Sequence, residues 1–201
     1  MDAFSYILKY DSGFAPNPFG GFCTLACCKP VIRKNASIGD WVMGTTPSPD
    51  AGRLTYMMQI TRALSFEYYF NDPIYENKKN TKENPYGDNI YEPIGPGNYR
   101  QVSNPAHNET HIKTDLSSKR VLISNEFFYF GSDAPKIEER FRPLIHTTHG
   151  HKRIKSSDKQ KYKLFLDLLD SVKGKYEKGI IGEPTLREIV CYPPEDPSEK
   201  N

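Results

Sequence analysis

The sequence predicts an α+β fold: a small, mostly antiparallel, β-barrel-like sheet with flanking helices and a long irregular insertion. Three observations carry this. Short β-prone, aromatic runs recur at 4–10, 40–45, 53–61, 120–124 and 127–130, and runs of that kind bounded by Gly, Pro, Asn and Asp read as strands. Tyr162, Phe165, Leu166, Leu169 and Val172 recur at helical spacing, with Leu164 and Leu168 widening the stripe, which predicts a core-packing helix over 158–173. Residues 71–118 are polar, rich in Asn and Pro and poor in aliphatics.

The elements follow in order. FSYILKY at 4–10 is the first strand, and DSGFAPNPFGGFCTLACCKP after it is too dense in Gly and Pro for regular structure. An irregular stretch of that length inside a compact domain tends to carry function. Ile38-Gly39-Asp40 turns into a buried strand at 40–45, joined through TPSPDAG to its hairpin partner at 53–61. Ser65 caps a short aromatic helix, FEYYF, which ends at Asn71-Asp72-Pro73. The 71–118 stretch is read either as a solvated insertion or as an extended flap over a pocket. RVLIS and FFYF form a strand pair or one bent strand, and Asp133-Ala134-Pro135 starts a helix through KIEERFRPLI. The division is one domain over 1–182, then a short strand (REIVCY) and a flexible tail within 183–201.

At 201 residues the chain buries enough surface to need no disulfide or metal. It holds 11 Phe, 13 Tyr and one Trp, and aromatics supply stacking surfaces as well as core. A net charge of +2 excludes a polybasic nucleic-acid coat, so any nucleic-acid contact is local and pocket-driven. No stretch approaches a membrane span and no secretory signal is evident. Reduced thiols in the cytoplasm are therefore expected for Cys23, Cys27, Cys28 and Cys191.

The candidate chemistry centres on the first loop. Asp11 and Ser12 follow a strand end. Phe14 and Phe19 flank Pro16-Asn17-Pro18, which holds an amide between two rings; an amide pairs with a base edge and a ring stacks on its face. Cys23 and Thr24 add a thiol and a hydroxyl, and Lys29 and Arg33 suit phosphate. Asp88 and Asn89, in Gly87-Asp88-Asn89-Ile90-Tyr91, are expected to enter the same pocket. No cofactor and no metal are expected: Cys23-x3-Cys27-Cys28 lacks a second half, and His146, His149 and His151 lack a completing carboxylate or thiol. His107 and His111 pair only if their segment is helical. Phosphate-binding loop, dinucleotide, serine-hydrolase and deaminase signatures are absent.

The blocks DSGFAPNPFGGFCTLACCKPVIR, IGDWVMGT, GRLTYMMQIT, GDNIY, RVLISNEFFYFGSDAP and GHK resemble the nucleotide-modification-associated domain family, second type, from about residue 5 to 153. The resemblance implies a link to bacterial and phage systems that modify DNA bases. It carries over Asp11, Ser12, Asn17, Cys23, Thr24, Lys29, Arg33, Asp40, Trp41, Asp88, Asn89, Tyr91 and Gly150-His151-Lys152. Where the family has a His after GDNIY and a later Trp-x-Gln, this chain has Glu92 and Tyr99-Arg100-Gln101. A weaker fold analogy points to PUA-like barrels of the EVE and ASCH types.

The leading expectation is a base- or nucleotide-binding module. The Asp11–Thr24 loop and the Asp88–Tyr91 segment hold a base, modified or not. Phe14, Phe19, Trp41 or Tyr91 stack on it; Asp11, Asn17 and Asp88 read its edge; Lys29, Arg33 and Lys152 lie near phosphate. The alternatives are an enzyme transferring or hydrolysing a group on a base or nucleotide, with Asp11 or Asp88 as base and Cys23 or Thr24 as nucleophile or orienting group, and a scaffold for partner proteins in a modification complex.

Overall fold

Along the chain, the computed structural model runs β1 (Ala3–Ile7), β2 (Cys23–Leu25), α1 (Pro30–Asn35), β3 (Trp41–Thr45), β4 (Leu54–Gln59), β5 (Arg62–Ser65) and α2 (Phe66–Asn71). It continues through β6 (Tyr91–Gly95), β7 (Asn98–Gln101), α3 (Ile112–Asp115), β8 (Arg120–Ser124), β9 (Glu126–Tyr129), β10 (Lys152–Ile154), α4 (Lys159–Lys175) and β11 (Gly179–Ile180). The structure describes residues 1–47, 49–148, 150–186 and 191. Six strands form one sheet in the order β10-β1-β3-β4-β9-β11, three form a second in the order β2-β8-β5, and β6-β7 is a separate hairpin. Most pairs are antiparallel, but β1–β3 and β9–β11 are parallel.

The large sheet is apolar along its length because both faces are covered. Alternate residues go to opposite cores, as the two-residue period of a strand requires. Trp41, Met43, Met57 and Phe128 join Phe165, Leu168, Leu169 and Val172 of α4 on one side. Val42, Tyr56, Met58 and Phe127 join Cys23, Leu25, Leu122 and Ile32 on the other. α4 starts where its stripe does, with Asp158 accepting from the Lys161 amide at 3.2 Å. α2 starts at Ser65, whose hydroxyl accepts from the Tyr68 amide at 3.3 Å.

The expected barrel does not form among the described residues. The chain does pass from one sheet to the other, between β4 and β5 and again at Asn125 between β8 and β9. RVLIS and FFYF are therefore one bent run serving two sheets. Among the described residues β10 and β11 are the edges of the larger sheet, and no PUA-like closure is found.

Residues 71–118 correct the expectation of a solvated insertion with almost no secondary structure. They supply β6, β7, α3 and two turns of 3-10 helix, and build a third core. Tyr75, Ile90, Tyr91 and Ala106 pack there with Phe14, Phe66, Val121 and Ile123 on the outer face of the small sheet. The helix expected from Asp133 is a second correction. The Ile137 amide donates to Gly52 O at 2.8 Å and the Leu54 amide to Pro135 O at 2.9 Å, which draws the chain out beside the β3–β4 hairpin. A 3-10 turn follows at 139–144, where Pro143 has no amide to donate. The strand expected at 187–192 lies outside the described residues, Cys191 excepted, as does the tail beyond it. Residues 184–186 strap the first loop, with Leu186 N donating to Asp11 O at 2.9 Å.

Candidate functional site

The first loop is folded inward and pinned by two buried polar networks. In the first, the Lys78 ammonium donates to Asn17 O at 3.0 Å, Asn17 Oδ1 at 2.7 Å and Phe22 O at 2.6 Å. Asn17 Nδ2 donates to Tyr86 O at 2.6 Å. Thr24 and Tyr69 donate to the two oxygens of Asp88 at 2.6 and 2.7 Å. Burial lowers Lys78 to about 8, against the pull of Asp88. Burial also raises Asp88 above the ordinary carboxylate range, against Lys78, Thr24 and Tyr69. The sheet explains the arrangement: Cys23 and Leu25 of β2 point into the second core, so Thr24 faces the opposite way, toward Asp88.

The second network centres on Asp115, at the end of α3 and 1% exposed. Its Oδ1 accepts from the Cys28 amide at 2.7 Å, and its Oδ2 accepts from the Tyr91 hydroxyl at 2.8 Å. His107 Nδ1 lies 2.7 Å from the same Oδ2, and His107 Nε2 lies 3.4 Å from Cys28 Sγ. Thiol, imidazole and carboxylate thus stand in line. Phe14 meets the His107 ring edge-on at 5.0 Å, and His111 stacks on it at 4.1 Å.

The backbone delivers the thiol at a cost. Cys28 and Lys29 both adopt positive φ, 59° and 39°, a left-handed conformation uncommon for non-glycine residues. The surroundings hold them there. Arg33, fully buried, donates to Cys28 O at 2.8 Å, Asp115 O at 2.5 Å, Ser118 O at 3.0 Å and Arg120 O at 2.8 Å.

Electrostatics divide the groups. For His107, burial alone would lower the pKa; Cys28 and Asp115 reverse that and bring it up to about 10. For Asp115, burial raises it, while His107 and Arg33 outweigh burial and hold it below the ordinary value. Cys23 is a different thiol: it is buried in the second core, and burial pushes it up to about 12.

The other candidates from the sequence are placed as follows. Asp11 is buried, accepts from the Tyr129 hydroxyl and from Thr185 N, and is raised by burial. Ser12 lies beside it, buried. Phe19 tilts against Tyr86 at 5.4 Å. Asn89 donates to Tyr69 O at 2.9 Å. Trp41 lies apart, in the α4 core, with the Lys173 ammonium 5.3 Å from its ring centre. Lys152 donates to Pro143 O and Ile145 O. Lys29 places its ammonium 4.9 Å from the Tyr6 ring centre. The structure therefore brings the 11–24 loop and the 88–91 segment together, but occupies Asn17, Asp88 and Arg33 with internal bonds.

Among the described residues, the group able to hold a metal is Cys27, His107 and Asp115, whose donor atoms lie within 4.8 Å of one another. Sulfur, nitrogen and oxygen together suit zinc. His149 lies outside the described residues. Sequence reasoning missed Cys28, His107 and Asp115 as a set, and Lys78 and Tyr69 with them. The one available signal was Cys28-Lys29-Pro30, a thiol at the mouth of a helix; nothing in spacing links it to a histidine 79 residues away.

One family description matches the chain: nucleotide modification associated domain 2, over residues 1–190. No curated protein and no solved structure matches it.

Proposed function

Because the chain belongs to the nucleotide modification associated domain 2 family, we propose that it is a thiol enzyme that transfers or hydrolyses a group on a base or nucleotide. The observation that carries this is the line Cys28 Sγ–His107–Asp115, at 3.4 and 2.7 Å. A nucleophile, a base within reach and a third group orienting the base define nucleophilic catalysis by geometry.

The roles follow from the electrostatics. The attacking species is the Cys28 sulfur as its thiolate, and His107, cationic at neutral pH, lies 3.4 Å from it. The sulfur adds to an electrophilic carbon of the substrate, forming a C–S bond as the bond to the leaving nitrogen or oxygen breaks. That leaving atom takes the proton from His107 Nε2. Water or a second acceptor then displaces the sulfur and returns a proton to the imidazole. Asp115, bonded to Nδ1, fixes the ring orientation and stabilises its cation.

A module that holds a base between the 11–24 loop and the 88–91 segment is the second reading, favoured by the 2.6 Å bond from Thr24 to Asp88 that joins those stretches. The test is a panel of unmodified and exocyclically acylated nucleotides, quenched in acid and read by intact mass. Turnover with an adduct on Cys28, both lost in Cys28→Ala, supports the proposal. Equal turnover by wild type and Cys28→Ala, or no turnover of any member with binding retained, overturns it in favour of the reader.

A further inference from the structure

We infer that a divalent cation of the zinc class binds between Cys27, His107 and Asp115 and, by taking His107 out of the thiol line, holds Cys28 inactive. The inference rests on the thiol reading above and names a means of regulating that same site.

The donor set is the first argument. Among the described residues, the Cys27 sulfur, a His107 ring nitrogen and an Asp115 oxygen all lie within 4.8 Å of one another. Tetrahedral zinc, with bonds of about 2.0–2.3 Å, sets its ligands about 3.3–3.6 Å apart. A pair at the wide limit closes by about 1 Å, and the His107–Asp115 pair opens by about 0.6 Å, movements that small changes in side-chain torsion supply. Thiolate with imidazole and carboxylate selects zinc, whereas magnesium and calcium take oxygen alone. Cys27 is the thiol that the proposed chemistry leaves unused, and it makes only a long contact, 3.6 Å, with Asp88 O.

The bonds already present are the second argument, because the shortest lies inside the cluster. His107 Nδ1 meets Asp115 Oδ2 at 2.7 Å, and a cation between them takes the place of the proton that joins them. Binding forms one metal bond each to sulfur, nitrogen and oxygen, and releases the Cys27 thiol proton and the His107 Nδ1 proton to solvent. Two positive charges enter as two leave, so the buried charge is unchanged. The bonds that hold the carboxylate are kept: the Cys28 amide on Asp115 Oδ1 and the Tyr91 hydroxyl on Oδ2, at 2.7 and 2.8 Å. Outer partners of this kind orient a metal-bound carboxylate.

The consequence for the thiol is the third. His107 turns its other nitrogen, Nε2, to Cys28 Sγ at 3.4 Å. One ring therefore serves the cation from Nδ1 and the sulfur from Nε2. With the metal in place of its Nδ1 proton, the ring is no imidazolium and gives up its Nε2 proton far less readily. The sulfur loses its charged neighbour and the leaving group loses its acid. Cys27 and Asp115 are closed off from solvent at 0% and 1% exposure, which makes His107, at 8%, the open side of the cluster.

Titration of the reduced, chelator-stripped chain with cobalt(II) tests this, because a cobalt–thiolate bond gives a charge-transfer absorption that imidazole and carboxylate ligands do not. The band should saturate at one cobalt per chain and be displaced by zinc, which binds such sites more tightly. Cys27→Ser, which keeps a donor toward Asp88 O, should lose the band. Cys28→Ala, at a half-buried position, should retain it, and this keeps the assignment decisive if the Cys27 variant folds poorly. Saturating zinc should slow iodoacetamide alkylation of Cys28 at least about tenfold in wild type and less than about twofold in Cys27→Ser. No saturable band, a band that follows Cys28 instead of Cys27, or alkylation indifferent to zinc overturns the inference. The band is read without turnover, so failure of the thiol chemistry shows in the Cys28 adduct on nucleotides and failure of the cation site shows here.

Discussion

His107→Asn separates a reactive thiol from one that is merely half-buried. With its pKa raised to about 10 by Cys28 and Asp115, His107 carries its proton at pH 7. An ordinary histidine near 6.5 would carry it in about one in four. Asparagine keeps a polar group in the space but cannot bear the charge, so Cys28 loses its imidazolium while Asp115 keeps its bonds to the Cys28 amide and to Tyr91. The assay is alkylation by iodoacetamide, read peptide by peptide by mass spectrometry from pH 6 to 10.5. Cys23 and Cys27 are buried, and Cys191, partly exposed, is the internal reference. The variant should alkylate Cys28 at least about tenfold more slowly at pH 7. The gap should close above about pH 10, where the wild-type ring has itself lost its proton. Equal rates at pH 7, or a deficit that stays constant to pH 10.5, refute the pairing.

Four further outcomes are expected. His107 holds its proton more tightly when folded, so its contribution to stability is complete below about pH 6.5 and is lost as pH climbs through about 10; the melting temperature should fall across that window in wild type and less in His107→Asn. Asn17→Ala removes an amide bonded to Tyr86 O and Lys78 and should cost about 2 kcal/mol in urea unfolding; an unchanged midpoint would return that side chain to the list of groups available to a ligand. Lys78→Met strips the cation from three carbonyls and from Asp88 and should cost about 3 kcal/mol by the same measurement, with recovery by an Asp88→Asn second change if charge dominates. Zinc added to the chain should slow Cys28 alkylation through Cys27, His107 and Asp115, and elemental analysis of His107→Asn should show that uptake lost.

Much of the frame was legible because hydrophobic period and punctuation agree there. The α4 stripe, the Ser65 cap and the 40–61 hairpin each combine an apolar pattern with a terminating residue, and each lies within a few residues of its expected bounds. The polar excursion was illegible for the opposite reason. Its buried groups include Lys78, Asp88, Asn89, His107 and Asp115, side chains that read as solvated in any one-dimensional scan. Their burial is tolerated only because partners arrive from elsewhere in the chain. Thr24 meets Asp88 across 64 residues and Cys28 meets His107 across 79. That the 11–24 loop is irregular was visible in composition; which atoms it and Asp88–Tyr91 face was not. The same gap separated Cys23 from Cys28: both lie in one motif, but only the fold shows that β2 turns the first into the core and that the left-handed turn carries the second out of it.

The two carboxylates beneath that loop argue for a division of labour. Asp88 and Asp115 are both buried, and each holds the 23–28 stretch by hydrogen bonds, yet their environments drive them apart. Asp88 is raised by burial and accepts from neutral hydroxyls; Asp115 is lowered through His107 and Arg33. Asp88 has no imidazole or exposed thiol on its carboxylate, so its bonds serve to fix Thr24 and Tyr69. Asp115 stays anionic against burial because a cation faces it, and that cation touches the sulfur. Cys28 in the left-handed region is the strained member of that network, whereas the His107–Asp115 pair favours folding while both are charged. A purely structural loop anchor could be met by Asp88-type hydroxyl bonds alone, and the Asp115 network is the one on which the proposed thiol chemistry rests.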